Sequence, residues 1–76
     1  MRVRENQWVA AFPTTTAALH AEEVCRANGV PGRLIPLPAR ISAGCGLAWA
    51  MPESAKPAFD AVAPQLDIQV LCELML

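Results

Sequence analysis

The sequence predicts a small α+β domain whose elements follow the order β-α-β-β-α-β. Three observations lead there. Short apolar runs, "QWVAAF" (7–12), "GLAWAM" (46–51) and "IQVLCELML" (68–76), have the length and composition of strands. Two intervening stretches, 13–29 and 52–67, carry capping residues and helical spacing. Prolines and glycines punctuate the joins between them.

"QWVAAF" is apolar, short and closed by Pro13, so it reads as a buried strand. "PTTTAALHAEEVCRANG" (13–29) reads as a helix, capped by one of Thr14, Thr15 or Thr16 and ended by a left-handed turn at Gly29. Ala18, Ala21, Val24, Cys25 and Asn28 share one broad face, while Glu22, Glu23 and Arg26 point mostly to water. That face is mainly alanine, so the helix should lie close to whatever it covers.

"GRLIPLP" (32–38) is a strand broken by prolines. Pro36 has no amide to give a ladder, which assigns this strand to a sheet edge. In "GLAWAM", Leu47, Trp49 and Met51 alternate with Ala48 and Ala50, leaving both faces apolar. "PESAKPAFDAVAPQLD" (52–67) is a short helix, with Ser54 as its expected cap, Pro57 in the first turn and Pro64 ending or kinking it. In the last strand, Ile68, Val70, Cys72, Leu74 and Leu76 form an apolar face against a mixed one of Gln69, Leu71, Glu73 and Met75.

This order is the split βαβ arrangement called ferredoxin-like: a four-stranded antiparallel sheet with both helices on one face. Nothing in the chain is then expected to cover the other face. Apolar residues on both sides of the first and third strands predict a covering partner there, most simply a second copy forming a homodimer.

Bulk properties narrow the function. The 76 residues make one domain, 1–76, and 54% of them are hydrophobic. A chain this short buries only ~60% of its unfolded surface, so its core is small. The net charge of −1, with no basic stripe, argues against nucleic acid. The N-terminus has two arginines but no long apolar segment after them, and no run approaches the ~20 residues that span a bilayer. A soluble, cytoplasmic protein that does not bind membranes is expected. Three cysteines, Cys25, Cys45 and Cys72, are an odd number and point to reduced thiols rather than a disulfide framework.

Cys45 stands out because Gly44 and Gly46 flank it in "ISAGCGLAWAM" (41–51). Glycine marks sharp turns and close approaches, and neither is needed by a cysteine that only fills a core. The expected topology brings the loop between the second and third strands to the sheet end where the first helix starts. Cys45 would then lie by Thr14, Thr15 and Thr16, with unpaired amides and the positive end of the helix dipole. Helix N-termini and nearby cations lower a thiol pKa from about 8.5. Arg40, in the same loop, would add to this. An open, low-pKa thiol suits nucleophilic sulfur transfer.

The segment "FPTTTAALHAEEVCRANGVPGRLIPLPARISAGCGLAWAM" resembles the selenium/sulfur (Se/S) carrier protein-like family of small bacterial domains. The likeness is strong over residues 8–51, and its most specific part is "RLIPLPARISAGCGLA" taken whole. It implies that Cys45 bears the sulfur or selenium, with Gly46 beside it; no cofactor is expected. A cysteine desulfurase-type donor and a biosynthetic acceptor would be the partners, and the chain would be a transfer partner rather than a turnover enzyme. Relatives show more serine ahead of the cysteine; here only Ser42 precedes "AG".

Cys25 and Cys72 lie on apolar faces and read as packing residues. His20 reads as a solvated helix residue, Arg33 as a solvated charge, and Trp8 and Trp49 as sheet packing. His20, Cys25, Cys45 and Cys72 lack the short ligand spacing of a structural zinc site, so no metal is expected. No Ser-His-Asp set, paired carboxylates or phosphate-binding glycine loop is visible. The alternative is a non-catalytic interaction or dimerisation module that uses the open sheet face, with Trp49 among its contacts.

Overall fold

The computed structural model describes residues 5–44 and 46–75. Its elements are β1 (Asn6–Ala11), α1 (Thr15–Ala27), β2 (Arg33–Pro36), β3 (Leu47–Pro52), α2 (Lys56–Val62) and β4 (Val70–Met75). The four strands form one antiparallel sheet in the order β2-β3-β1-β4. β1 is central, with Ala10 opposite Trp49 of β3 and Val9 opposite Cys72 of β4. β2 lies at an edge, as the missing amide of Pro36 requires.

The two-residue period of the strands divides the apolar residues between two layers. On one side, Ala10, Trp49 and Met51 pack with Ala18, Ala21 and Cys25 of α1 and with Phe59 and Val62 of α2. The alanines let α1 approach the sheet, and the large Trp49 and Phe59 fill the space beneath the helices. Trp49 is fully buried in this layer, which corrects the expectation that it lies on an exposed face.

α1 is closed at both ends by its own sequence. The Thr14 side chain accepts from the Ala17 amide at 3.1 Å. At the other end the Val30 amide donates to the Cys25 carbonyl and the Gly29 amide to that of Arg26. These are the paired bonds of a Schellman ending, with Val30 and Cys25 buried together as its apolar contact.

The second helical stretch departs from expectation. It is a 3₁₀ turn (Glu53–Ala55), then α2, then a second 3₁₀ turn (Ala63–Gln65). Ser54 does not cap it: the cap position falls on Ala55, and no side chain bonds there. The opening turn already directs the Lys56 amide to the Glu53 carbonyl, so Ser54 sits inside the turn rather than ahead of a helix. Pro64 lies in the closing 3₁₀ turn, where the α-helical ladder has ended.

The larger correction concerns the other face. Val9, Ala11, Ala48 and Ala50 are buried there without any second copy. The β2–β3 connection folds across them, contributing Ile41 to the buried cluster, with Leu37 and Ala43 packed against it. The face expected to be bare thus has a cover made from this chain over its centre, while Ile35, Val70, Cys72 and Leu74 are only partly buried around it.

Candidate functional site

The β2–β3 connection is held at several points. At its base the Leu37 amide donates to the Gly46 carbonyl at 2.9 Å, joining its two ends. The Ile41 amide donates to the Pro38 carbonyl at 3.0 Å, a tight turn that carries Arg40 outward. Ile41 then turns inward as the segment's apolar anchor, while Ser42 points to solvent.

Beyond Ala43 the chain meets the opening of α1. The Gly44 backbone abuts the Pro13 carbonyl so closely that a Cβ at Gly44 would overlap it. Pro13 immediately precedes the capping Thr14. The Gly44 amide donates to Oε1 of Gln69 at 3.2 Å. Gln69 is itself fixed, because its amide donates to the Ala11 carbonyl at 2.8 Å, one step beyond the β1–β4 ladder. Gly46 has a different reason to be glycine. Its φ of +76° is left-handed, and the space around it is open. One glycine answers to crowding and the other to backbone conformation.

The first amides of a helix have no acceptor within it and carry the positive end of its dipole. Thr14 takes up the amide of Ala17, and Thr15 and Thr16 stand exposed in the first turn. Gly44 is thus seated against the residue that leads into an electropositive helix end.

A family model described as "Putative Se/S carrier protein-like" matches residues 7–71. The chain belongs to this family. The Se/S carrier protein-like match takes in all of β1 but Asn6, both helices, the whole β2–β3 connection and the start of β4. No curated protein and no solved structure matches the chain.

The residues singled out from the sequence fall into three groups against this Se/S carrier-like frame. Gly44 reaches the start of α1, and Thr14, Thr15 and Thr16 form that start. Gly46 closes the connection. Arg40 and Ser42 are exposed and make no hydrogen bond or ion pair among the described residues. Cys45 lies outside the described residues; its neighbours on both sides are the glycines just placed.

The other two thiols are separated by the sheet. Cys25 is buried in the helix-side layer, and that burial pushes its thiol up to about 11. Cys72 is half-buried in the opposite layer. Among the described residues no three His, Cys, Asp or Glu side chains form a metal-holding group. Among them, too, no helix is long and apolar enough to cross a membrane.

A second charged cluster lies on the helix side, away from the connection. Nζ of Lys56 stands 4.5 Å from the centre of the Trp8 ring and 2.8 Å from Oδ1 of Asp60. Glu73, opposite Trp8 on β4, has its carboxyl raised by desolvation, then by a hydrogen bond to Glu53 and by repulsion from it. Sequence reading missed this cluster and missed Gln69. The signal for Gln69 was a polar residue just ahead of the apolar run of β4; its contact with residue 44 is set by tertiary structure alone.

Proposed function

We propose that this chain carries sulfur or selenium on Cys45. The seating of Gly44 against Pro13 carries the reading, because it brings the residue bonded to Cys45 to the opening of α1. Membership of a family described as Se/S carrier-like supports it. A helix N-terminus favours thiolate over thiol, and the thiolate is the nucleophile. The two flanking glycines leave room for a large partner beside the sulfur.

The transfer balances without an outside oxidant. The Cys45 thiolate attacks the outer atom of a donor persulfide, R–S–SH, or perselenide, R–S–SeH. A new S–S or S–Se bond forms on Cys45 as the matching bond of the donor breaks, and the donor thiolate departs with the displaced electron pair. The outer atom, sulfur or selenium, is then passed to a nucleophilic acceptor by the same exchange in reverse. The donor is of the cysteine desulfurase type and the acceptor is a biosynthetic protein. The order β2-β3-β1-β4 supports reading the scaffold as ferredoxin-like.

Incubation with a cysteine desulfurase and cysteine, followed by intact-mass measurement, tests this. A gain of one sulfur that disappears in Cys45→Ser is expected. A gain that persists in Cys45→Ser, or no gain at all, overturns the assignment.

A further inference from the structure

We propose that β4 pairs edge to edge with the β4 of a second copy, antiparallel and centred on Cys72, joining the two four-stranded sheets into one. This edge lies outside the β2–β3 connection, and the pairing does not depend on what Cys45 does.

The backbone shows which groups are unspent. The Ala11 carbonyl accepts the Gln69 amide, so Ala11 turns its backbone groups towards β4. Such groups alternate along a strand, so Val9 does the same and bonds its partner Cys72. Leu71, Glu73 and Met75 then turn their amides and carbonyls outward, where no strand meets them among the described residues. The other edge of the sheet is guarded. Leu37 bonds inward to Gly46, which turns the neighbouring Pro36 outward, and Pro36 has no amide to offer. β2 also has four residues against the six of β4. Head-to-tail stacking of β4 on β2 is thereby disfavoured, and β4 closes on its own kind.

The side chains fit the same pairing. Leu71, 36% exposed, and Met75, 57% exposed, are two of the three large exposed apolar side chains among the described residues. On the opposite face Val70, Cys72 and Leu74 are only partly buried. An apolar edge of this kind is a template for another strand. Charge sets the register, because Glu73 is the single charged residue of β4. Centring on Glu73 would set carboxylate against carboxylate, and centring on Leu71 would shorten the overlap. Centring on Cys72 sets each Glu73 opposite the other copy's Leu71, and Val70 opposite Leu74. The two Cys72 residues then form a pair without mutual hydrogen bonds, its Cα atoms about 4.5 Å apart, within the span of a disulfide. One strand of this length runs only about 20 Å, so the join is smaller than a standard interface and the dimer is weak, with a Kd on the order of 100 µM.

Sedimentation equilibrium of the reduced full chain, from about 10 µM to about 1 mM, should show the mass climbing towards twice the monomer. The symmetry uses each contact twice. Leu71→Glu, facing Glu73 across the join, should therefore weaken association about tenfold, whereas Leu71→Lys, facing the same carboxylate, should stay within about threefold of wild type. A cross-link reads the register directly. In Cys45→Ser, where Cys25 is buried, the azo oxidant diamide should take two electrons and two protons from a pair of Cys72 thiols. Its N=N bond becomes a hydrazine and an intermolecular S–S bond is left, which adding Cys72→Ser abolishes. A chain that stays monomeric at about 1 mM overturns the proposal and leaves the edge to a strand from another protein. Equal losses in the two Leu71 variants, or a dimer without the Cys72 cross-link, overturn this edge and register. Should a Leu71 variant fail to fold, the mass and the cross-link with β4 otherwise unaltered still decide.

Discussion

Gly44 rests directly on the carbonyl of Pro13, 31 positions earlier in the chain, and no side chain fits between them. The β2–β3 connection meets the start of α1 backbone to backbone. This contact separates the roles of the two glycines around Cys45, and substitution can read them apart.

Gly44→Ala places a methyl group where a carbonyl already stands, and backbone cannot move aside as a side chain would. The connection must lift, taking the Gly44–Gln69 bond with it. Gly46→Ala meets no obstacle but must hold a left-handed φ, at about 1 kcal/mol. Urea denaturation combined with alkylation of Cys45 distinguishes them. The Gly46 variant should lose stability by about that amount, whereas the Gly44 variant should change the Cys45 rate as well. An unaltered Cys45 rate in Gly44→Ala would count against the close approach.

Ile41 is the buried side chain by which the connection joins the second layer. Removing it exposes Val9, Ala11, Ala48 and Ala50 and leaves a void beneath the segment. Ile41→Ala should cost about 2 kcal/mol in urea denaturation, at the low end for such a truncation because an edge site can partly collapse. A loss below half of that would show that the cover is not held by this residue.

The Cys25 thiol is raised to about 11 by burial. The folded state therefore keeps its proton where an unfolded chain, at about 8.5, has lost it. Stability from this group is complete below the unfolded value and declines as pH climbs towards 11, because the native state binds more protons there. Chemical denaturation between pH 8 and 11 should show this fall, and Cys25→Ala should flatten it. An equal slope in the variant would assign the fall to other groups.

Glu73 is raised by desolvation, by its hydrogen bond to Glu53 and by repulsion from it. Any stability tied to this raised carboxyl is present at low pH and lost as pH rises through the folded pKa. Glu53→Gln removes the repulsion, so NMR titration should find the Glu73 carboxyl nearer its ordinary range and the acid-side dependence weaker. A Glu73 titration unmoved by Glu53→Gln would assign its shift to desolvation alone.

The regular elements were legible because each had a local cause. Pro36 set an edge strand, the run Thr14 to Thr16 a helix start and Gly29 a helix end, and the alternation in "GLAWAM" divided Trp49 and Met51 from Ala48 and Ala50. The alternation could not say what lay over each face. Residues 37–44 have no period, and Ile41 lies among polar and small neighbours, so nothing local marks the segment as a cover. Gln69 was hidden for the same reason: its partner is fixed only when β4 is laid beside β1. Ser54 misled because a serine near the start of a helical stretch also fits the interior of a 3₁₀ turn.

Under the proposed function, the segment that spans the second sheet face is both lid and worksite. Any enzyme that docks by prising residues 37–44 upward would wet four side chains that now lie dry, Val9, Ala11, Ala48 and Ala50. Such a visitor must bring greasy surface of its own to lay in their place, or else approach from the rim and leave the segment seated. Docking and folding thus draw on one patch of residues, and a substitution that eases the first weakens the second.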